Sequence, residues 1–387
     1  MSFLLAAALL MLMTITVILF RNMATFSSLE EADPAACRLS AAVCVPARNE
    51  QHVIERCVTS LLSQDYPHCK IYVLDDNSTD ATGRILQALQ EQHPEKLMAI
   101  AGRPKPGDWL GKPWACHQLS LQAEADILIF ADADTWLEPN AVSRTLAEFD
   151  REDLDCLTIW PEQELRTFWE NMLIPLVYYA LVGFLPSVYI RRPPRWLPAR
   201  IEARVGPLFA AACGQFMAFR KQAYDAIGGH RSVRQDVVED VALARHVKRN
   251  GYRMNMYNGL DTVHCRMYEN EKAIREGFRK NFLAGFGSGF SLFLMAGLLH
   301  LILYVFPVFT FIQAQYQDSE LISGLSAMCI SLFLLHRFIL ALWFRWPVIY
   351  VLLHPLSVLW YQFLALIVLW DYLTGRSPTW KGRTLKN

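Results

Sequence analysis

Four long apolar runs divide this chain before any motif is read. Residues 3–20 read FLLAAALLMLMTITVILF and carry no charge until Arg21. Three further runs, about 288–312, about 321–343 and about 347–370, follow near the C-terminus. A helix of about 20 apolar residues spans a bilayer. Only His300, His336, Arg337, Arg345 and His354 bring ionisable groups into or beside the three later runs. Three consecutive runs of this length argue for spans rather than buried core helices. The first run has no basic residue before it, and Arg21-Asn22-Met23 is a poor cleavage context, so it reads as an uncleaved anchor over 1–22 rather than a signal peptide.

Composition agrees. The hydrophobic fraction is 53% and the charged fraction 19%, below the roughly 25% of a soluble domain. Thirty-seven Lys+Arg balance 37 Asp+Glu. No basic excess points to a nucleic-acid partner, and nothing implies an obligate protein partner. The nine cysteines are scattered, with no C-x-x-C and no zinc spacing. They read as small buried hydrophobes in a reducing compartment.

Between the anchors, about 40–282 is a water-soluble stretch that opens as alternating strand and helix. Ala41–Val45, Ile71–Leu74, Leu97–Ala101 and Ile127–Phe130 are short apolar runs. Gln51–Leu62, a segment through Leu89 begun by Ser78-Thr79-Asp80, and Lys112–Ala125 carry helical patterns. This alternation predicts βαβ units and a parallel sheet. Ligands of such sheets bind beyond the carboxyl ends of the strands. Three of the four strands end there in polar clusters: Pro46–Glu50, Asp75–Asp80 and Asp132–Asp134. The apolar segment Asn171–Ile190, followed by the basic, tryptophan-bearing Arg191–Trp196, has two readings. Residues 171–196 form an interfacial helix, or the segment is a core helix of the soluble domain.

The clusters carry chemistry. Asp132-Ala133-Asp134 places two carboxylates where both reach one divalent ion, Mg²⁺ or Mn²⁺. Such an ion holds the phosphates of a nucleotide diphosphate and neutralises a leaving diphosphate. A carboxylate in Asp75-Asp76-Asn77-Ser78-Thr79-Asp80 accepts from a base N–H or a ribose hydroxyl, while Asn77 and Ser78 also suit a turn. Glu239-Asp240 opens a helix ending at Asn250-Gly251. A carboxylate there complements the helix dipole, or serves as a general base on an acceptor hydroxyl.

Taken in order, Pro46-Ala47-Arg48-Asn49-Glu50, Asp75–Asp80, Gly111-Lys112-Pro113-Trp114-Ala115, Asp132-Ala133-Asp134, Cys213-Gly214-Gln215-Phe216 and Val238-Glu239-Asp240 resemble the family 2 glycosyltransferases. The resemblance covers about 40–270. It implies a Rossmann-like α/β GT-A fold, a nucleotide-diphosphate sugar donor (often a UDP-sugar), a divalent metal and inversion at the anomeric carbon. Carried over by residue, Pro46 and Glu50 line the nucleotide pocket and Asp76 meets the uracil or ribose. Lys112 lies near the nucleotide and phosphates. Asp132 and Asp134 hold donor and metal. Gly214, Gln215 and Glu239 belong to the acceptor side, and Asp240 is the catalytic base.

One feature departs from the processive members, which carry Gln-x-x-Arg-Trp after the base. Here the stretch reads Arg266-Met267-Tyr268, then Arg275–Asn281. Synthesis of an exported or cell-surface polysaccharide is therefore the alternative rather than the first reading. The layout resembles the branch that glycosylates carotenoids and hopanoid-type lipids. That likeness rests on the single N-terminal anchor, basic Arg275–Lys280 and the tail Thr379–Arg383. It implies a lipid acceptor and a cell-membrane location, with the catalytic domain facing the cytoplasm. A transporter would place ionisable groups inside its spans, and a mere nucleotide-sugar binder has no use for a base at Asp240. The spans over 288–370 leave a basic tail, 371–387. Its charge suits the cytoplasm, whereas three C-terminal crossings would put it outside. His354-Pro355 makes the last run the expected exception to crossing.

Overall fold

The computed structural model describes residues 1–191, 198, 201, 205–282, 290–376, 379–380 and 383–384. The chain forms two units. A sheet unit comprises Phe26–Glu164 and Ser187–Met267; a helical unit comprises Met1–Thr25, Leu165–Pro186 and Tyr268–Asn387.

In the sheet unit, apolar runs become strands because both their faces are covered. The order along the chain is β1 (Ala41–Ala47), α2 (Ile54–Leu62), β2 (Cys69–Asp75), α3 (Thr82–Gln92), β3 (Leu97–Ala101), α4 (Gly111–Gln122), β4 (Ile127–Ala131), β5 (Thr135–Leu137), α5 (Ala141–Arg151) and β6 (Cys156–Gln163). After the helical excursion come α7 (Val188–Arg191), β7 (Phe216–Arg220), α8 (Lys221–Ala226), α9 (Gly229–Ser232), α10 (Glu239–Arg249) and β8 (Met254–Cys265). All five residues of β4 are buried. Val43, Val45, Ile71, Val73, Ile127 and Ile129 share one core with Val58 and Leu61 of α2 and Val142, Leu146 and Phe149 of α5. Each such side chain contributes ~1.5–3 kcal/mol of burial free energy.

The eight strands order as β3-β2-β1-β4-β7-β6-β8-β5. The expected parallel sheet holds for β3, β2, β1 and β4. It stops at β7, which runs antiparallel to both β4 and β6. β6 pairs β8 in parallel, and the three-residue β5 pairs β8 antiparallel. The first half is parallel because one short helix returns the chain between strands. β7 enters after the long excursion that leaves the sheet unit, and it comes from the other end. The helix after β2 starts two residues beyond the expected cap, yet Asp80 still serves it: its Oδ1 accepts from the Thr82 amide at 3.0 Å. The helix at Glu239 runs to Arg249, and Gly251 takes φ +76° just beyond it, as the sequence predicts.

The helical unit comprises α1 (Ser2–Thr25), α6 (Phe168–Phe184), α11 (Glu271–Asn281), α12 (Phe290–His300), α13 (Phe306–Tyr316), α14 (Glu320–Trp343) and α15 (His354–Thr374). A π turn, Leu301–Val305, joins α12 to α13. Four helices fit membrane spans by length and composition: Ser2–Thr25, Ser291–Tyr316, Glu320–Trp343 and Val348–Thr374. The interruption expected at His354-Pro355 falls where a 3-10 helix, Val348–Leu353, gives way to α15 at His354. Pro355 occupies the first turn of α15, where its missing N–H is one of the donors a helix leaves unused. The 21 residues of α15 continue unbroken beyond it.

The apolar segment after residue 167 differs from the reading as a core helix of the soluble domain. α6 groups with the helical unit rather than with the soluble domain, and only Phe168, Trp169 and Ala180 of it are exposed. Thr167 and Glu170 cap its start reciprocally. Pro175 offers no N–H to Asn171 O four residues earlier, and Arg337 donates to that carbonyl at 3.3 Å. Ser357 and Tyr361 donate to the next two carbonyls, of Met172 and Leu173. Asn22 of α1 donates to Val182 O and Leu185 O at 2.8 and 2.7 Å, where α6 ends. The basic edge Arg192–Trp196 and residues 377–378, 381–382 and 385–387 of the basic tail lie outside the described residues. All nine cysteines are free; eight are buried and Cys69 is half-buried.

Candidate active site

The carboxyl ends of β1, β2 and β4 lie side by side because β1 pairs both neighbours in parallel. The loops they launch are held by their own side chains. Asn49 and Asn77 adopt the left-handed region at φ 53° and 56°, which asparagine tolerates. Asn49 Oδ1 accepts from the Thr79 amide at 2.8 Å, and Ser78 Oγ accepts from the Asn49 amide at 2.9 Å. Thr82 Oγ1 accepts from the Glu50 amide at 2.8 Å. Arg48 donates to the carbonyls of Asp76 and Asn77 at 2.5 and 2.9 Å. This lattice ties Pro46–Gln51 to Asp75–Thr82.

Beside it opens a cleft whose wall includes Pro46, Lys112, Asp132, Gly214, Glu239 and Asp240. Six of the residues singled out in the sequence thus meet in one place. Lys112 projects from the first turn of α4. Its Nζ lies 2.7 Å from Asp132 Oδ1 and 3.0 Å from Glu239 Oε1, and donates to Gly214 O at 3.1 Å. Gly214 in turn donates its amide to Asp240 Oδ2 at 2.7 Å. Asp240 Oδ1 accepts from the Val241 amide at 2.8 Å. A side chain at Gly214 would put its Cβ 3.0 Å from Lys112 Nζ and 3.1 Å from Asp240 Oδ2. Glycine lets lysine and carboxylate approach together there.

The electrostatics follow from this packing. Burial pushes the Asp240 carboxyl up to about 6, and the neighbouring Glu239 charge adds to it, while Lys112 opposes. Burial also works against ionisation of Glu239, but the Lys112 ammonium outweighs it and holds Glu239 below its ordinary value. Burial works against the charge on Lys112 as well; the Asp132 and Glu239 carboxylates overcome it and keep Lys112 protonated. Two adjacent carboxylates are thus set apart, one ionised and one poised near neutrality, which is the pattern of an acid–base site.

Glu50, Asp76, Asp134 and Gln215 lie outside the cleft lining. Glu50 and Asp76 belong to the knitted loops, and Asp76 is buried. Gln215 is buried, accepting from Gln163 Nε2 at 3.0 Å and donating to Cys265 Sγ at 2.8 Å. Asp134 is tied through its carbonyl to the Arg266 amide. Sequence reasoning missed His230, which lines the cleft beside Glu239. It is buried against Phe130 and hydrogen-bonded through Nδ1 to Tyr224 at 2.7 Å. Burial drives its pKa down to about 3, so it is a neutral wall. The signal was Gly228-Gly229 before it: Gly229 has φ +47°, and a Cβ there would strike the Tyr224 ring at 2.4 Å.

Among the described residues, no group of three or more His, Cys, Asp or Glu side chains is placed to hold a metal ion. A site that relies on substrate for most of its ligands would not form such a group. Mg²⁺ ordinarily takes one or two carboxylates and completes its shell with substrate phosphates and water.

Comparison with known proteins supplies the family. Residues 42–228 match the profile of Glycosyl transferase family 2, and residues 197–279 that of Glycosyl transferase family 21. A 4,4'-diaponeurosporenoate glycosyltransferase of Staphylococcus aureus (strain USA300) is 26% identical over 248 residues, 63% of this chain and 61% of the relative. The protein of that name from S. aureus (strain bovine RF122 / ET3-1) is 26% identical over 251 residues, 64% of this chain and 62% of the relative. The matched region thus spans about three fifths of these curated relatives. The fold is shared with the mannosyltransferase PcManGT from Pyrobaculum calidifontis, solved in complex with GDP-Man and Mn²⁺. The TM-score is 0.55 at 17% identity, covering 93% of this chain and 99% of that one. At that identity the likeness concerns fold alone. Residues 42–228 of the chain are a Glycosyl transferase family 2 domain, and the fold is GT-A.

Proposed function

We propose that this chain moves a sugar from a nucleotide-diphosphate donor, with a UDP-sugar as first choice, to a hydroxyl or carboxyl group of a lipid at the membrane. The observation that carries the reading is the cleft where Asp132, from the end of β4, and Asp240, from the start of α10, are linked through Lys112 and Gly214. Donor-side and acceptor-side carboxylates share one wall, as transfer between two substrates requires.

In this reading Pro46, Glu50 and Asp76 hold the nucleotide, and Asp132 and Asp134 hold a Mg²⁺ or Mn²⁺ ion with the diphosphate. The ion, when bound, neutralises charge on the leaving diphosphate. Asp240 takes the proton from an acceptor hydroxyl as that oxygen attacks the anomeric carbon, and the configuration inverts. An acceptor already ionised as a carboxylate needs no such proton transfer. Gly214 orients Asp240 by its amide, Glu239 keeps Lys112 charged, and the knitted loops fix the nucleotide end without rearrangement.

A lipid acceptor is supported by four span-length helices and by the relatives' printed name, 4,4'-diaponeurosporenoate glycosyltransferase. The catalytic unit faces the cytoplasm in this reading, because nucleotide sugars are made there. The test is to incubate membranes containing the full chain with a panel of labelled nucleotide sugars. Label is then followed into the organic extract. Label recovered only in a water-soluble oligosaccharide would refute the lipid acceptor and favour polysaccharide synthesis.

A further inference from the structure

An ammonium group has three N–H donors and no acceptor. At Lys112 the three have three partners: Asp132 Oδ1 at 2.7 Å, Glu239 Oε1 at 3.0 Å and Gly214 O at 3.1 Å. These lie on three different pieces of chain: the turn after β4, the first turn of α10, and the loop before β7. A donor phosphate could bind Lys112 only by breaking one of these contacts. The same lysine reaches the proposed base through one residue. Gly214 gives its carbonyl to Lys112 and its amide to Asp240. The glycine is therefore pinned at both polar atoms.

Resting on the transfer reading above, we infer that Lys112 is the positioning residue of the base Asp240 and not a ligand of the donor's phosphates. It clamps the Gly214 loop to α10 and supplies the ammonium that Asp132 and Glu239 share. The groups facing Asp240 are few. Glu239 and the Val241 amide come from its own helix, Lys112 from α4, and the Gly214 amide from the loop. The Cys213 thiol faces Asp240 from the same loop, and Asp132 is linked to Asp240 through Lys112. Replacing Lys112 by a neutral residue leaves the Glu239 charge uncompensated beside Asp240, and Asp240 then resists ionisation. Replacing Glu239 by its amide removes a negative neighbour, and Asp240 ionises more readily. A base works only when deprotonated. The first change therefore moves the acid limb of the rate profile to higher pH and the second moves it to lower pH.

The test uses the full-length protein in detergent or native membranes, as wild type, Lys112→Met, Lys112→Arg and Glu239→Gln. UDP and GDP, each with Mn²⁺, are titrated calorimetrically. Transfer of labelled sugar into lipid is followed from pH 5 to 9, with kcat and donor KM separated. For Lys112→Met we expect diphosphate affinity and donor KM within about threefold of wild type. Its kcat falls by about 10²-fold or more, and its acid limb rises by about one pH unit. Glu239→Gln keeps diphosphate affinity, and its limb falls. Lys112→Arg retains the cation and returns the limb toward the wild-type position. Loss of diphosphate affinity in Lys112→Met by about tenfold or more, with the limb unmoved, would make Lys112 a phosphate ligand and overturn the inference. So would an unmoved or rising limb in Glu239→Gln, which decides the matter even where Lys112→Met does not fold. A wild-type chain that binds the diphosphates but labels no lipid overturns the transfer reading itself and this role with it. A wild type that transfers, beside a Lys112→Met chain that cannot bind, overturns only the role of Lys112.

Discussion

The Gly214 amide donates to Asp240 Oδ2 at 2.7 Å, and this one bond joins the loop before β7 to the first turn of α10. With Val241 holding Oδ1, the carboxylate has a fixed direction in the cleft and keeps free lone pairs for an acceptor proton. Position and proton affinity are thus set together.

The first prediction concerns pH. Burial and Glu239 raise Asp240 to about 6. Its active form is the deprotonated one, so kcat/KM for a hydroxyl acceptor should fall as pH drops below about 6 and level off above it. A profile flat from pH 5 to 8 would remove Asp240 as the titrating base.

The second concerns metal. Among the described residues the proposed ligands Asp132 and Asp134 belong to no group of three candidate metal ligands, so an ion held by them should bind weakly until a diphosphate completes its shell. Turnover should stop in EDTA and return with Mn²⁺ or Mg²⁺. Asp134→Ala should abolish turnover and weaken Mn²⁺-dependent UDP binding. Full activity in EDTA contradicts the assignment.

The third concerns α6. Asn22 supplies donors to Val182 O and Leu185 O. Asn22→Leu leaves both carbonyls without that donor, at a cost of about 1–3 kcal/mol for a buried unsatisfied group. Thermal unfolding in detergent should show a clear loss for Asn22→Leu and little change for Met23→Leu, at an exposed position. Equal stabilities would show that α6 does not depend on this contact.

Much of the cleft was legible in sequence because strand-end clusters declare themselves by order. Pro46, Lys112, Asp132, Gly214, Glu239 and Asp240 come from five separate segments and meet as expected. The partnership of Lys112 was not legible. Its three acceptors are 20, 102 and 127 residues away in the chain, and only the antiparallel entry of β7 brings them together. That reversal was itself hidden, since β7 reads as one more apolar strand. The unit to which α6 belongs was not legible for a related reason. Its all-round apolarity records burial but does not say in which unit, and its partners Asn22, Arg337 and Ser357 lie in other apolar runs.

The fourth prediction concerns topology and reverses an expectation. The sequence placed the basic tail in the cytoplasm by exempting the last run. With Pro355 in the first turn of α15, four span-length helices remain. If all four cross, one before the catalytic unit and three after it, the tail lies on the opposite side. In a background without accessible thiols, Asn387→Cys should react with a membrane-impermeant reagent in intact cells. Protection until the cells are opened would show that one run does not cross.

The most direct test of the central claim compares wild type with Asp240→Asn, a change that keeps the shape of the side chain and removes the base. Both proteins are assayed for UDP binding and for transfer of labelled sugar into the lipid extract. The account predicts diphosphate binding within about threefold of wild type and a loss of transfer to hydroxyl acceptors of about 10²–10⁴-fold. Transfer at the wild-type rate by Asp240→Asn would contradict it.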